Sequence, residues 1–378
     1  MIEIEDKKKC CGCESCAQVC PKHCIQMLVD DEGFSYPQVN TSLCVDCGLC
    51  EKVCPYLNVS SVDIKPNIYA AINKTEDIRM ASSSGGVFSA LAESIIANGG
   101  VVYGAAFDED WSVCHIRVED SKGIDRLRGS KYVQSNIKKT YKEVESDLKQ
   151  SRVVLFSGTP CQVKGLNLFL RKSYENLFTV EVVCHGVPSP KVWQSFLTEI
   201  NPHDKDIISI QFRNKNRGWS SYSVEIQAKD EKLFSDYARN CLYINGFIQN
   251  LYIRPSCSNC PAKSGSSMAD ITLADYWGVS AQYPALNDEK GVSAILAHSE
   301  KGNSLVQKAQ LKVLPADYDN FVKNNVSYTE SARLSDNREF FWQLFPEMGI
   351  AAVGKIRNKE QKPLLIRALS KLKRIFVK

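Results

Sequence analysis

No stretch of this 378-residue chain approaches the 18 or more apolar residues needed to span a bilayer. The segment Met1 to Lys9 is charged and lacks the apolar centre of a secretory signal. There is no G-x-G-x-x-G and no G-x-x-x-x-G-K-S/T, which leaves a Rossmann nicotinamide site and a P-loop without support, and there is no H-E-x-x-H. Low-complexity tracts are missing too, and 44% hydrophobic with 24% charged residues excludes a disordered, collagenous or coiled-coil chain. The expectation is a cytoplasmic globular protein of two or three domains whose thiols stay reduced or metal-bound.

Cysteine is present in excess. Ten of the 16 cysteines lie in the first 54 residues. Disulfides spread through a secreted scaffold would not cluster this way, whereas metal or iron–sulfur ligation would. Charge is uneven as well. The net charge is +4, but residues 355–378 alone carry nine Lys/Arg and one Glu, leaving the first 354 residues at −4. A mildly acidic body argues against nucleic acid as a partner.

The dense region is a duplication. Cys10-x2-Cys13-x2-Cys16-x3-Cys20-Pro21 recurs as Cys44-x2-Cys47-x2-Cys50-x3-Cys54-Pro55. This is the bacterial ferredoxin spacing, in which three cysteines wrap one 4Fe–4S cluster and the fourth ligates the other. Reciprocal exchange gives one cluster to Cys10, Cys13, Cys16 and Cys54, and a second to Cys44, Cys47, Cys50 and Cys20. A zinc site would not call for the x3-C-P ending, and disulfides conflict with a reducing compartment. Between the two runs, Ile25–Val29 and Phe34–Val39 flank Asp30-Asp31-Glu32-Gly33, a hairpin signal. Cys11 and Cys24 have no place in the spacing and read as bystanders.

Residues 1–57 therefore form a dicluster ferredoxin domain. Residues 58–66 read as a linker, and 67–350 as a mixed α/β or α+β body. Within the body, Arg152–Phe156 and Phe178–Val183 are expected strands, each leading into a loop with a cysteine, Cys161 and Cys184. Such βα loops would display both on one sheet edge. Ile207–Phe212, Tyr222–Ala228, Ile271–Ala274 and Val292–Ala297 also read as strands; Cys161–Leu170, Tyr237–Gln249 and Ser304–Gln310 read as helices. Cys257-x2-Cys260 supplies a further ligand pair. Cys161, Cys184, Cys257 and Cys260 suffice for a third 4Fe–4S cluster or a zinc ion. A catalytic thiol at Cys161 and inert buried cysteines remain alternatives, and Cys114 and Cys241 read as core. Ser82-Ser83-Ser84-Gly85-Gly86 before a helical segment suits a phosphate at a helix N-terminus, or an ordinary serine-rich cap. Gly129-Ser130-Lys131 offers a polar loop with a cation.

Taken in order, the ferredoxin runs, Ser-Ser-Ser-Gly-Gly-Val-Phe-Ser-Ala-Leu, Gly-Ser-Lys-Tyr-Val-Gln-Ser, Ser-Gly-Thr-Pro-Cys-Gln, Cys-His-Gly-Val-Pro-Ser, Cys-Ser-Asn-Cys-Pro and Ala-Asp-Ile-Thr-Leu-Ala-Asp-Tyr-Trp-Gly resemble the family of coenzyme F420 hydrogenase and dehydrogenase beta subunits over residues 1–345. The resemblance implies a flavoprotein, FAD or FMN, that exchanges two electrons with a hydride partner and single electrons with iron–sulfur clusters. It implies that Cys161, Cys184, Cys257 and Cys260 hold the third cluster. It makes Ser84, Gly85, Gly86, Lys131, Ser157, Gly158 and Thr159 flavin-binding candidates, and Asp275 and Trp277 active-site candidates. The implied partner is a redox protein or a hydride-carrying coenzyme. Two alternatives stay open: a ferredoxin-fed flavin reductase of a small organic substrate, and a flavin-free electron-transfer adaptor. The basic tail, 355–378, lies outside the resemblance. Its leucines recur near helical spacing, which suits either a peripheral anionic membrane contact or an acidic partner.

Overall fold

Asp30 closes the first hairpin. Its carboxylate accepts the N–H groups of Glu32 and Phe34, and Gly33 takes φ +85°, so β1 (Ile25–Val29) and β2 (Ser35–Val39) pair antiparallel with Ile25 opposite Val39. The duplication extends to the backbone. Glu14 (φ 63°) and Gly48 (φ 70°), 34 residues apart like the cysteines, both adopt the left-handed conformation and open the short helices Ser15–Val19 and Leu49–Lys52. Each reversal folds a cysteine loop back on itself. The computed structural model describes residues 1–59 and 65–357. The middle of the expected linker and nearly all of the basic tail lie outside the described residues.

The body adds eleven strands: β3 (Asn67–Asn73), β4 (Val101–Phe107), β5 (Val113–Val118), β6 (Val154–Gly158), β7 (Leu177–Val182), β8 (Ile207–Asn214), β9 (Ser223–Ala228), β10 (Lys232–Tyr237), β11 (Ile271–Asp275), β12 (Ser293–Ala297) and β13 (Leu311–Pro315). Eight of them form one sheet in the order β13-β3-β12-β11-β7-β6-β4-β5, and β10-β9-β8 form a separate antiparallel sheet. β4, β6, β7 and β11 run parallel; β12 is antiparallel to both β11 and β3. Helices Val87–Ala97, Ser121–Leu127 and Glu300–Lys308 cover one face of the large sheet, and Thr140–Lys149 with Pro160–Leu170 cover the other. Burial on both faces explains the near-continuous apolar runs of β6 and β12. The small sheet packs with helices Pro190–Ile200, Leu242–Ile248 and Arg338–Met348 around Trp193, Phe212, Tyr243, Tyr252 and Phe341.

Two expected helices differ. Residues 232–237 are strand β10, so the helix expected over Tyr237–Gln249 begins only at Leu242. The helix expected over Ser304–Gln310 spans Glu300–Lys308, because the Ser299 hydroxyl accepts the Gly302 N–H and starts it a turn early. Among the described residues, no helix is long and apolar enough to cross a membrane.

The ferredoxin region sits directly on the body. Ser15 Oγ donates to Gly165 O (2.9 Å), Gln134 Nε2 to Cys11 O (3.1 Å), Tyr56 OH to Ser256 O (2.9 Å), and Glu32 pairs with Arg338. Gly165 is the close approach. A Cβ there would meet Ser15 Oγ at 2.8 Å and Cys13 Cβ at 3.0 Å. Gly165→Leu is expected to cost about 1–3 kcal/mol through overpacking. Hydrogen exchange should speed up at 15–19 and 160–170 while the amides of the large sheet stay as protected as before.

Candidate iron–sulfur and flavin site

The four parallel strands end on one edge of the sheet, the place where open α/β sheets carry ligands. β6 runs into Ser157, Gly158, Thr159 and then Cys161; β7 runs into Cys184; β11 ends at Asp275, two residues before Trp277. The expected C-x2-C pair arrives from the turn Pro255–Asn259. Cys161, Cys184, Cys257 and Cys260 come together there: each pair among the four is close enough to influence the other's ionisation. Burial pushes Cys257 up to about 12 and Cys260 to about 11. Val187 N–H points at Cys257 Sγ (3.4 Å), the Thr159 hydroxyl lies 3.3 Å from Cys161 Sγ, and Lys263 Nζ donates to Cys184 O (2.9 Å). His185 turns to Asn250 (2.6 Å) and does not pair with the neighbouring thiol.

The ferredoxin cysteines line two hollows. One is bounded by Cys20, Cys44, Cys47 and Cys50, the other by Cys10, Cys13, Cys16 and Cys54. In each hollow three cysteines come from one repeat and the fourth from the other. Ile2 N–H points at Cys50 Sγ (3.3 Å). Among the described residues, no three His, Cys, Asp or Glu side chains converge as on a single metal ion. The thiols surround open space, as a multi-iron cluster with one thiolate per iron requires.

Cys11, read from spacing as a bystander, lies between the sites. It is buried, lines the second hollow, and is close enough to both Cys13 and Cys161 for each to influence its ionisation. Its nearness holds Cys161 down to about 7. Cys24 sits 3.4 Å from Cys20 Sγ at the wall of the first hollow, while Cys114 and Cys241 are core residues.

The candidate flavin loops share the same region, and two of them touch. Ser130 N–H donates to Ser83 Oγ (2.7 Å), joining the 82–86 loop to the 129–131 loop. Gly86 takes φ +82° and opens the helix Val87–Ala97. A Cβ on Gly85 would meet Ala71 O at 2.5 Å, so packing on the strand already demands glycine there. Ser84 Oγ donates to Val292 O (3.0 Å). Lys131 Nζ is folded back on the carbonyls of Leu127, Arg128 and Gly129, where burial lowers it to about 7. Thr159 caps its helix in a reciprocal pair with Gln162, and Ser157 O takes one nitrogen of buried His115 (3.0 Å).

The open donors belong to Arg213. Its Nη1 pairs with Asp275 Oδ2, and Trp219 Nε1 donates to the other carboxylate oxygen (3.0 Å). Trp219 stacks on Trp277 with centroids 4.5 Å apart, and Tyr222 lies over the guanidinium. Arg213 Nε and Nη2 are buried without a hydrogen-bond partner. These two atoms form one edge of the guanidinium, the edge that grips a pair of coplanar acceptors.

Comparison with known proteins gives the family. Two family models described as the coenzyme F420 hydrogenase/dehydrogenase beta subunit match the body, the N-terminal one over residues 68–142 and the C-terminal one over 151–315. The chain belongs to the family of coenzyme F420 hydrogenase/dehydrogenase beta subunits. Residues 9–58 match a 4Fe-4S dicluster domain. This member therefore carries an N-terminal 4Fe-4S ferredoxin domain on a mixed α/β body. A coenzyme F420-dependent sulfite reductase of Methanocaldococcus jannaschii is 25% identical over 82% of this chain and 47% of its own length. One component of the F(420)H(2) dehydrogenase of Methanosarcina mazei is 22% identical over 64% of this chain and 72% of its own. This chain thus spans about half of the first relative. A chain of the F420-reducing NiFe hydrogenase complex from Methanosarcina barkeri superposes with a TM-score of 0.47 at 15% identity, over 80% of this chain and 95% of that one.

Proposed function

We propose that the protein passes electrons between a two-electron hydride partner, a coenzyme of the F420 type or another carrier, and one-electron redox proteins. Two 4Fe–4S clusters would be held by the ferredoxin cysteines and a third by Cys161, Cys184, Cys257 and Cys260. A flavin, FAD or FMN, would supply the exchange between two-electron and one-electron chemistry. Ser84, Gly85, Gly86, Ser130, Ser157, Gly158 and Thr159 would bind it through backbone and hydroxyl groups. The Arg213 edge would grip a pair of its acceptors, with Asp275 fixing the guanidinium and Trp277 walling the site. Lys131 would act from behind, by shaping its loop.

The observation that carries this reading is the nearness of Cys11 to both Cys13 and Cys161. It puts one ferredoxin hollow against the body thiols, which lie on the same sheet edge as Asp275. The other hollow reaches the surface at exposed Cys47. Electrons would leave or enter there, after crossing the inner site.

The test is a visible spectrum of anaerobically prepared, iron-reconstituted chain, followed during addition of F420H2, NAD(P)H or reduced ferredoxin. A flavin band that bleaches with one of the hydride donors is expected. A chain with full iron and no flavin band would leave an electron-transfer adaptor.

A further inference from the structure

Arg254 comes from the body, three residues before Cys257, yet its guanidinium ends inside the ferredoxin region. Nε donates to Cys10 O (2.7 Å), Nη2 to Ser35 O (2.8 Å) and to Cys10 Sγ (3.6 Å), and Nη1 to Gln134 Oε1 (3.1 Å). The ring of Tyr36 lies 4.3 Å from its centre and that of Phe34 at 5.4 Å. The side chain is among the largest fully buried in the protein. Among the described residues no carboxylate pairs with it in a salt bridge. Its charge neighbours are the thiols Cys10, Cys11 and Cys257, the Tyr36 hydroxyl and the carboxyl of Glu14, which forms no salt bridge with it.

A buried guanidinium without an ion-paired anion is costly even after its surroundings relax. The local sequence accommodates it nonetheless. Gly12, at φ +66° between Cys11 and Cys13, leaves the space: a Cβ there would stand 2.7 Å from Nη1 and 2.9 Å from Cζ. The loop that would wrap a cluster is thus cut to admit a cation from the other domain. A thiolate-ligated cluster supplies the missing negative charge, and one-electron reduction adds more. Charge and hydrogen bonds at the sulfurs are among the levers that set such potentials. Among the described residues, no arginine hydrogen-bonds to Cys20, Cys44, Cys47 or Cys50, the cysteines of the first hollow, as Arg254 does to Cys10.

We propose that Arg254 is the counter-charge of the cluster held by Cys10, Cys13, Cys16 and Cys54 and raises that cluster's reduction potential, leaving its twin untouched. This rests on the reading that these cysteines hold clusters. Because the cation is supplied by the body, the inner site gains its full tendency to accept an electron only while the two domains are docked.

The test is an EPR-monitored redox titration of reconstituted full-length chain, in which the outer cluster serves as the internal control. Arg254→Gln is expected to move the inner midpoint to more negative potential with the outer midpoint fixed. Arg254→Lys, which keeps the charge and loses the planar edge, is expected to bring the inner midpoint back toward wild type. Unchanged midpoints in Arg254→Gln, equal shifts of both clusters, or a lysine variant no different from glutamine would each overturn the proposal. A wild-type chain that takes up no iron in its first 57 residues would overturn the cluster reading itself, and this one with it. Should Arg254→Gln lose iron, the comparison of Arg254→Lys with wild type decides: a large negative shift with the charge retained refutes a counter-charge role.

Discussion

Chain carrying both Cys257→Ala and Cys260→Ala, reconstituted with iron and sulfide without oxygen, is expected to hold about eight iron atoms in place of about twelve. Removing two thiols leaves Cys161 and Cys184, too few for a cubane. The remaining eight should keep the spectrum of two ferredoxin clusters, since Cys257 and Cys260 line neither ferredoxin hollow. Both are half-buried, so alanine removes little packing and the body should stay folded. A double variant that still holds about twelve iron atoms would remove these cysteines as ligands, and about one zinc per wild-type chain, lost in the variant, would make the site structural. Either result would leave hydride chemistry in the body without an exit through this site. If the cluster reading holds, the variant should still bleach its flavin with a hydride donor but should no longer reduce the ferredoxin clusters.

What could be read in advance follows the range of the interactions. The tandem spacing is local: three cysteines of each hollow sit within seven residues, and the fourth returns across the duplication, so sequence alone pairs Cys54 with the Cys10 group. The sheet edge was also legible. A strand followed by a loop cysteine, as at Cys161 and Cys184, gives the residue's edge whatever the strand order. What was not legible depends on how domains meet. Cys11 looked idle because its partners are a neighbour and a residue 150 positions on. Arg254 belongs to no motif of the sequence and stands simply before a proline. The consecutive pair Cys10-Cys11 and the Gly12 between ligand positions were the available hints. Lys131 is the reverse case: it reads as a cation offered by a polar loop, whereas three carbonyls at the end of its preceding helix take the ammonium. The helix expected from Tyr237 failed because Lys232–Tyr237 pairs with β9, and no local signal reveals a strand's partner.

The pair Arg213–Asp275 gives the other large effect. Both side chains are sheltered, at 6% and 15% exposure, so removing one strands the other's charge. Arg213→Met is expected to destabilise the chain by about 3–5 kcal/mol, mostly the cost of Asp275 left unpaired. Asp275→Leu alone should cost a similar amount, because it orphans Arg213 and frees Trp219 Nε1 as well. The double variant Arg213→Met/Asp275→Leu should recover most of that loss, since two apolar side chains of similar volume replace two charges together. Chemical denaturation of all four chains measures the coupling. Function should not follow stability. The two open donors of Arg213 vanish in the single and in the double variant alike, so flavin retention and reduction by a hydride donor should stay low in both. A double variant that regains flavin along with stability would show that the pair only braces the loop between β8 and β9. One that regains stability and stays without flavin would make the open edge of Arg213 a ligand contact, with Asp275 as the positioning residue that holds it in place.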